Sequence, residues 1–176
     1  MIRLHGKNFE PYLEEDIIQE RVRELALEIN EDYKEKSPII LCILSGSFIF
    51  TADLIRHFTF PLAVEFVRYS SYAGTKSSGQ ITKMLGLKSD IASKDIIIVE
   101  DIIDTGFTLF NALKELRRKK PASIKIASLL LKPTALQHDV PCDYIGFRIP
   151  DEFVVGYGLD YDELGRDLPS IYKLKI

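Results

Sequence analysis

The sequence predicts an α/β domain, a mostly parallel sheet covered by helices on both faces. Runs such as Ile39–Leu44 and Ile96–Val99 are apolar at every position, which suits strands buried on two faces. Segments of helical period alternate with these runs, as βαβ units require. The length of 176 residues fits one domain of ordinary size, spanning 1–176.

The first helix is read from Ile18, Val22, Leu25 and Ile29, with Glu20, Arg21, Arg23, Glu24 and Glu28 facing elsewhere. Glu14, Glu15 and Asp16 at its start and Lys34 and Lys36 beyond its end suit the helix dipole. A strand over Ile39–Leu44 follows, bounded by Ser45-Gly46-Ser47, then a helix from Phe48 to His57 and a strand from Leu62 to Tyr69. The small, polar, glycine-punctuated stretch Ser70–Gly79 reads as a loop. A strand over Ile96–Val99 precedes a turn and a helix from Thr108 to Lys119, which Pro121 ends. The strand Ile124–Leu131 stops at Lys132-Pro133, and the short runs Tyr144–Phe147 and Phe153–Val155 form an edge or a small hood.

Hydrophobic and charged fractions of 46% and 28% exclude a disordered chain. With 23 Lys+Arg against 26 Asp+Glu the net charge is −3, which offers no broad basic footprint and makes nucleic acid a poor partner. No apolar run approaches the roughly 20 residues of a membrane span, and the N-terminus has no signal core. Cys42 and Cys142 lack metal-ligand or CxxC spacing and read as reduced core thiols, hence a cytoplasmic protein. His5, His57 and His138 show no ligand spacing.

The informative segment is Val99-Glu100-Asp101-Ile102-Ile103-Asp104-Thr105-Gly106-Phe107-Thr108. A buried strand runs into two carboxylates, a third follows, and Thr-Gly-x-Thr opens a helix. Ligands of open α/β sheets bind at strand carboxyl ends. The amides of residues 104–108, with the Thr105 and Thr108 hydroxyls, form an anion cradle at a helix N-terminus. The acids repel that anion, so they suit sugar hydroxyls or a divalent metal. Together these describe a sugar phosphate site. The plainer alternative makes Asp104 or Thr105 a helix cap and Glu100 and Asp101 solvated strand-end residues. A P-loop and a dinucleotide fingerprint are both absent.

The segment from Val99 to Gly106 resembles the phosphoribosyl-diphosphate (PRPP) signature of purine phosphoribosyltransferases. The chain as a whole resembles the hypoxanthine-guanine members of that type I family. The likeness runs from Leu41–Ser47 through Ser71-Tyr72, Ala127–Lys132 and Ile149–Tyr161 to Arg166-Asp167-Leu168. It implies a parallel-sheet phosphoribosyltransferase fold flanked by helices. A hood from the N- and C-terminal segments and a mobile lid over about 70–87, carrying Ser71 and Tyr72, complete it. The implied reaction joins a 6-oxopurine to PRPP, giving IMP or GMP and pyrophosphate with Mg²⁺.

By that resemblance Glu100 and Asp101 hold the ribose hydroxyls near Mg²⁺, and Asp104, Thr105, Gly106, Phe107 and Thr108 hold the 5′-phosphate, Phe107 through its amide. Asp104 accepts a proton from the purine. Ser45 and Gly46 form the pyrophosphate loop, often cis in relatives, with Ser45 where others carry Lys or Arg; Arg166 also serves pyrophosphate. Lys132 meets the purine O6, Phe153 stacks on the ring, Val154 reads its edge, and Asp160 is a further purine-side and Mg²⁺ residue. Singly, each has a plainer reading: a Ser-Gly turn, a snorkelling lysine, a core phenylalanine, a surface ion pair. A homodimer or homotetramer is the implied assembly. Two rivals remain: a receiver-like signalling domain, also built on strand-end acids and a late Lys-Pro, and an RNA regulator using PRPP as effector. A xanthine-preferring enzyme is the nearest variant.

Overall fold

The predicted amphipathic stripe forms in the computed structural model, which describes residues 1–71 and 81–175. The chain opens with a hairpin of β1 (Ile2–Leu4) and β2 (Lys7–Leu13). Helix α1 (Glu15–Tyr33) follows, with Ile18, Val22, Leu25 and Ile29 all fully buried. Next come β3 (Ile39–Leu44), α2 (Phe48–Ile55), β4 (Ala63–Ser71), β5 (Ile81–Leu85), β6 (Asp95–Ile103), α3 (Phe107–Arg117), β7 (Ser123–Leu131) and β8 (Tyr144–Arg148). The last two strands are β9 (Val154–Val155) and β10 (Ile171–Leu174).

The main sheet has the order β5-β4-β3-β6-β7-β8. Five of its strands are parallel, and β5 pairs antiparallel with β4. A second, antiparallel sheet of order β1-β2-β10-β9 joins the two ends of the chain as the hood. The alternation along β3 and along the Ile96–Val99 part of β6 explains why both runs are apolar at every position. Ile40, Ile97 and Val99 pack under α1 and α2, while Leu41, Ile43, Ile96 and Ile98 pack under α3. Ile97→Ala should cost about 2–5 kcal/mol of stability, read from urea unfolding, because its fully buried side chain leaves a cavity.

The sequence reading needs several corrections. The strand read as Ile96–Val99 continues to Ile103, so Glu100 and Asp101 lie within β6. Pairing with β7 sustains it to Ile103↔Leu131, whereas pairing with β3 ends at Cys42↔Val99. Residues 70–71 and 81–85, read as lid, belong to β4 and β5; Tyr72 and the rest of 72–80 lie outside the described residues. Cys42 is buried, whereas Cys142 is only half-buried and packs against the edge of the core.

The chain leaves β3 toward β4 and leaves β6 toward β7, in opposite directions along the sheet. The carboxyl ends of β3 and β6 therefore form a topological switch point, where open sheets of this kind make a crevice.

Candidate active site

At that switch point lies a cavity of about 340 Å³. Ser45 and Gly46 form one wall, Glu100 and Asp101 the floor, the 104–108 loop another wall, and Asp160 and Arg166 the rim. Because β6 has no β3 partner beyond Val99, the edge at Glu100 and Asp101 is open toward the Ser45-Gly46 turn.

Glu100 is only 7% exposed. Burial, then the charge of neighbouring Asp101, pushes its carboxyl well above the usual carboxylate range. The Asp101 amide donates to Glu100 Oε1 at 3.3 Å and the Ile102 amide to Asp101 Oδ1 at 2.9 Å. Among the described residues no cationic side chain makes an ion pair with either acid. Two hard oxygen donors without a counter-cation fit a divalent ion such as Mg²⁺, which takes one or two carboxylates and completes its shell elsewhere. Asp160 lines the same cavity but does not join them: among the described residues no three acids or imidazoles cluster at metal-binding distance. Its carboxylate instead meets Arg166 Nη2 at 2.7 Å and accepts from the Glu163 amide at 2.8 Å.

The peptide between Leu44 and Ser45 is cis. Gly46 follows so close to β6 that a Cβ there would lie 1.5 Å from Asp101 Oδ2. The turn is anchored by the Ser47 hydroxyl, which donates to the Ile43 carbonyl at 2.6 Å.

On the opposite wall Gly106, with φ 78°, turns the chain into α3. Asp104 does not cap the helix, since α3 has no side-chain cap. The first α-helical bond runs from the Phe110 amide to the Gly106 carbonyl at 2.9 Å, so the earlier amides lack intrahelical acceptors. The Phe107 amide has a long contact to Thr105 Oγ1, 3.4 Å. The loop is held from behind, where the Gln137 and His138 amides donate to the Thr105 carbonyl at 3.0 and 3.2 Å.

Asp104 reaches instead to Lys132. That ammonium, on a residue 6% exposed, lies 3.1 Å from Asp104 and 3.0 Å from Asp151. Burial would lower its pKa, but the hydrogen bonds to Asp151 and Asp104 outweigh burial and hold it above the usual lysine value. Phe153 is 46% exposed and meets Phe9 and Tyr161 at ring distances of 6.3 and 5.6 Å. Val154 is buried in β9 opposite Lys173. Lys132, Phe153 and Val154 are not part of the cavity lining, and of the three Lys132 is joined to it, through Asp104. Ser71 ends β4.

The sequence reading gave no role to Asp151, Tyr69 or Gly158. Asp151 partners Lys132, Tyr69 lines the cavity, and the Gly158 carbonyl accepts from Arg166 Nη1 at 2.8 Å. Asp151 follows Pro150 on an exposed turn, and nothing in its neighbourhood marks it as the partner of a lysine 19 residues away.

The chain also has close relatives. Residues 10–162 match the phosphoribosyl transferase domain. The hypoxanthine-guanine-xanthine phosphoribosyltransferase of Tritrichomonas foetus is 43% identical, over 92% of this chain and 88% of the relative. The hypoxanthine-guanine phosphoribosyltransferase of Aquifex aeolicus is 42% identical over 99% of both. A crystal structure of a Bacillus anthracis hypoxanthine-guanine phosphoribosyltransferase superposes with a TM-score of 0.88 at 40% identity, over 94% of this chain and 98% of that one. On these likenesses the chain belongs to the hypoxanthine-guanine phosphoribosyltransferases of the phosphoribosyl transferase family.

Proposed function

We propose that this protein salvages purines, transferring the 5-phosphoribosyl group of PRPP to hypoxanthine or guanine and releasing pyrophosphate. The observation that carries this reading is the open edge of β6: two carboxylates, without an ion-pair partner among the described residues, stand beside the N-terminus of α3, which has no side-chain cap. One end takes the ribose hydroxyls and the other the 5′-phosphate.

N9 of the base attacks C1′ of the ribose as pyrophosphate leaves, so positive charge grows on the ring and negative charge on the leaving group. The chain's task is to position and stabilise those charges. Glu100 and Asp101 hold the 2′- and 3′-hydroxyls, and they and Asp160 are the residues that would hold Mg²⁺, which would supply positive charge for the leaving pyrophosphate. The Thr105–Thr108 segment holds the 5′-phosphate. Ser45 and Gly46 offer backbone amides to pyrophosphate, and Arg166 offers its guanidinium. Lys132 donates to O6, Phe153 stacks on the purine and the Val154 backbone reads its edge. Asp104, fixed by Lys132, accepts the proton leaving N7. The two sheets act as one domain, the protein works in the cytoplasm, and it assembles as a homodimer or homotetramer.

The test is a panel of hypoxanthine, guanine, xanthine and adenine with PRPP and Mg²⁺, following nucleotide by chromatography. IMP and GMP should form; no nucleotide from any 6-oxopurine refutes the proposal. Xanthine belongs in the panel because the Tritrichomonas foetus relative is named for it. Asp104→Asn should lower kcat about 10²-fold, the low end for a general base, with the KM for PRPP nearly unchanged. Normal turnover would remove that role.

A further inference from the structure

Behind the pyrophosphate wall lies a buried hydrogen-bonded group that the mechanism above does not use. Tyr157, 2% exposed, donates its phenol to Asp53 Oδ2 at 2.6 Å. Gln19 Nε2 donates to the same oxygen at 2.8 Å. The three side chains come from different places: Gln19 from α1, Asp53 from α2, Tyr157 from the loop after β9. Burial first, and then Asp53, push the Tyr157 phenol upward, so it stays a proton donor at any working pH.

The surrounding backbone gives this group a direction. Gly156, Tyr157 and Gly158 all have positive φ, 104°, 51° and 99°. Two of the three are glycines, for which that region is open, but Tyr157 has a Cβ and adopts it at a cost. A side-chain anchor that outweighs the cost is therefore part of what holds the loop. The loop in turn touches the cavity wall. A Cβ on Gly158 would lie 2.1 Å from the Gly46 carbonyl oxygen, so the two backbones are in direct contact. Gly158 also exchanges hydrogen bonds with Arg166: its amide donates to the Arg166 carbonyl at 2.9 Å, and its carbonyl accepts from Arg166 Nη1. Asp53 sits on α2, the helix that starts two residues after Gly46. The 156–158 loop thus meets the turn directly, Gly158 against Gly46, and meets the helix that follows the turn, Tyr157 against Asp53.

We infer that Asp53 and Tyr157, braced by Gln19, are positioning residues that set the spacing of the Ser45-Gly46 turn and Arg166 for the leaving pyrophosphate. The inference rests on the proposed reading of those residues as the pyrophosphate subsite. Neither Asp53 nor Tyr157 touches substrate. Their effect should fall on ligands carrying pyrophosphate and spare those held only at the phosphate cradle and the purine side.

The test compares two probes on the full-length chain by calorimetry, magnesium pyrophosphate and IMP. Tyr157→Phe should weaken magnesium pyrophosphate about five- to tenfold, and raise the KM for PRPP likewise, with IMP binding changed less than about twofold. Asp53→Ala removes the same bond from the partly exposed side of α2 and should reproduce the selective loss even if Tyr157→Phe folds poorly. Asp53→Asn, which keeps an acceptor oxygen for both donors, should restore pyrophosphate binding to within about twofold of wild type. Equal weakening of both probes, or no change in either, overturns the inference and makes the group a stability element only. If the unsubstituted chain forms no nucleotide from PRPP, the functional reading fails, yet the two binding constants still decide whether this group controls the cavity wall.

Discussion

Replacing Gly46 with alanine is expected to lower kcat/KM for PRPP by about 10²-fold or more while leaving the protein folded. The added Cβ would lie 1.5 Å from Asp101 Oδ2 and 2.4 Å from its Cγ, so one of the two must move. The obstructing atoms are the far end of a side chain, which among the described residues no cation ties down. Its own bond is to the adjacent Ile102 amide. Rotation of the Asp101 carboxylate relieves the clash at small energetic cost, so urea unfolding should shift by no more than about 1–2 kcal/mol. Function has no such escape. The displaced carboxylate loses its place beside Glu100, where a ribose hydroxyl or Mg²⁺ would meet it, and misplacements near 1 Å typically cost about 10²-fold in rate. Wild-type kinetics in Gly46→Ala would show that the turn does not need to approach β6 so closely. A large loss of stability instead would show that the backbone, not the side chain, gives way.

The same contact shows what the sequence could and could not convey. Glu100 and Asp101 were legible because an apolar run turns acidic within one step, which composition along a buried strand rarely does without a ligand. Gly106 and its threonines were legible because an anion cradle is local: a few consecutive residues make it. Gly46 was legible from its own neighbourhood as a turn and through the resemblance as part of the pyrophosphate loop, but the reason for its missing side chain stands 55 positions away in Asp101. Tyr157 stood within the Ile149–Tyr161 likeness without a role of its own for the same reason, its partners being Asp53 and Gln19. The hood was harder again. β1, β2 and β10 are short, β2 contains Pro11, and β2 and β10 pair with each other from opposite ends of the chain while β1 leans on β2. β5 pairs along one edge only, so its pattern lacked the apolar continuity that marked β3 and β6. Helix α1 was clear because a stripe of period 3.6 needs no knowledge of what it packs against.

Lys132 carries the second large effect, on the choice of base. Wild-type protein should prefer hypoxanthine over adenine by about 10⁴ in kcat/KM, and Lys132→Gln should reduce that preference to about 10². An ammonium can only donate. It therefore satisfies the O6 acceptor of a 6-oxopurine and opposes the amino group of adenine, donor against donor. What makes the opposition costly is that this ammonium cannot withdraw. It is buried, and Asp104 and Asp151 hold it from two sides at 3.1 and 3.0 Å. Its raised pKa also closes the other escape, since deprotonation would be needed to turn it into an acceptor. A 6-oxopurine can instead take the place of the more exposed partner, Asp151, whose side chain is 68% exposed and returns to water readily. Glutamine at 132 removes the constraint, because its amide can present either oxygen or nitrogen to the base. The fold should survive the change, since the two carboxylates left behind both reach solvent. Measuring kcat/KM for both bases at saturating PRPP decides the matter. Adenine used within tenfold of hypoxanthine by the wild type, or an unaltered preference in Lys132→Gln, would place purine selection elsewhere than at this ammonium.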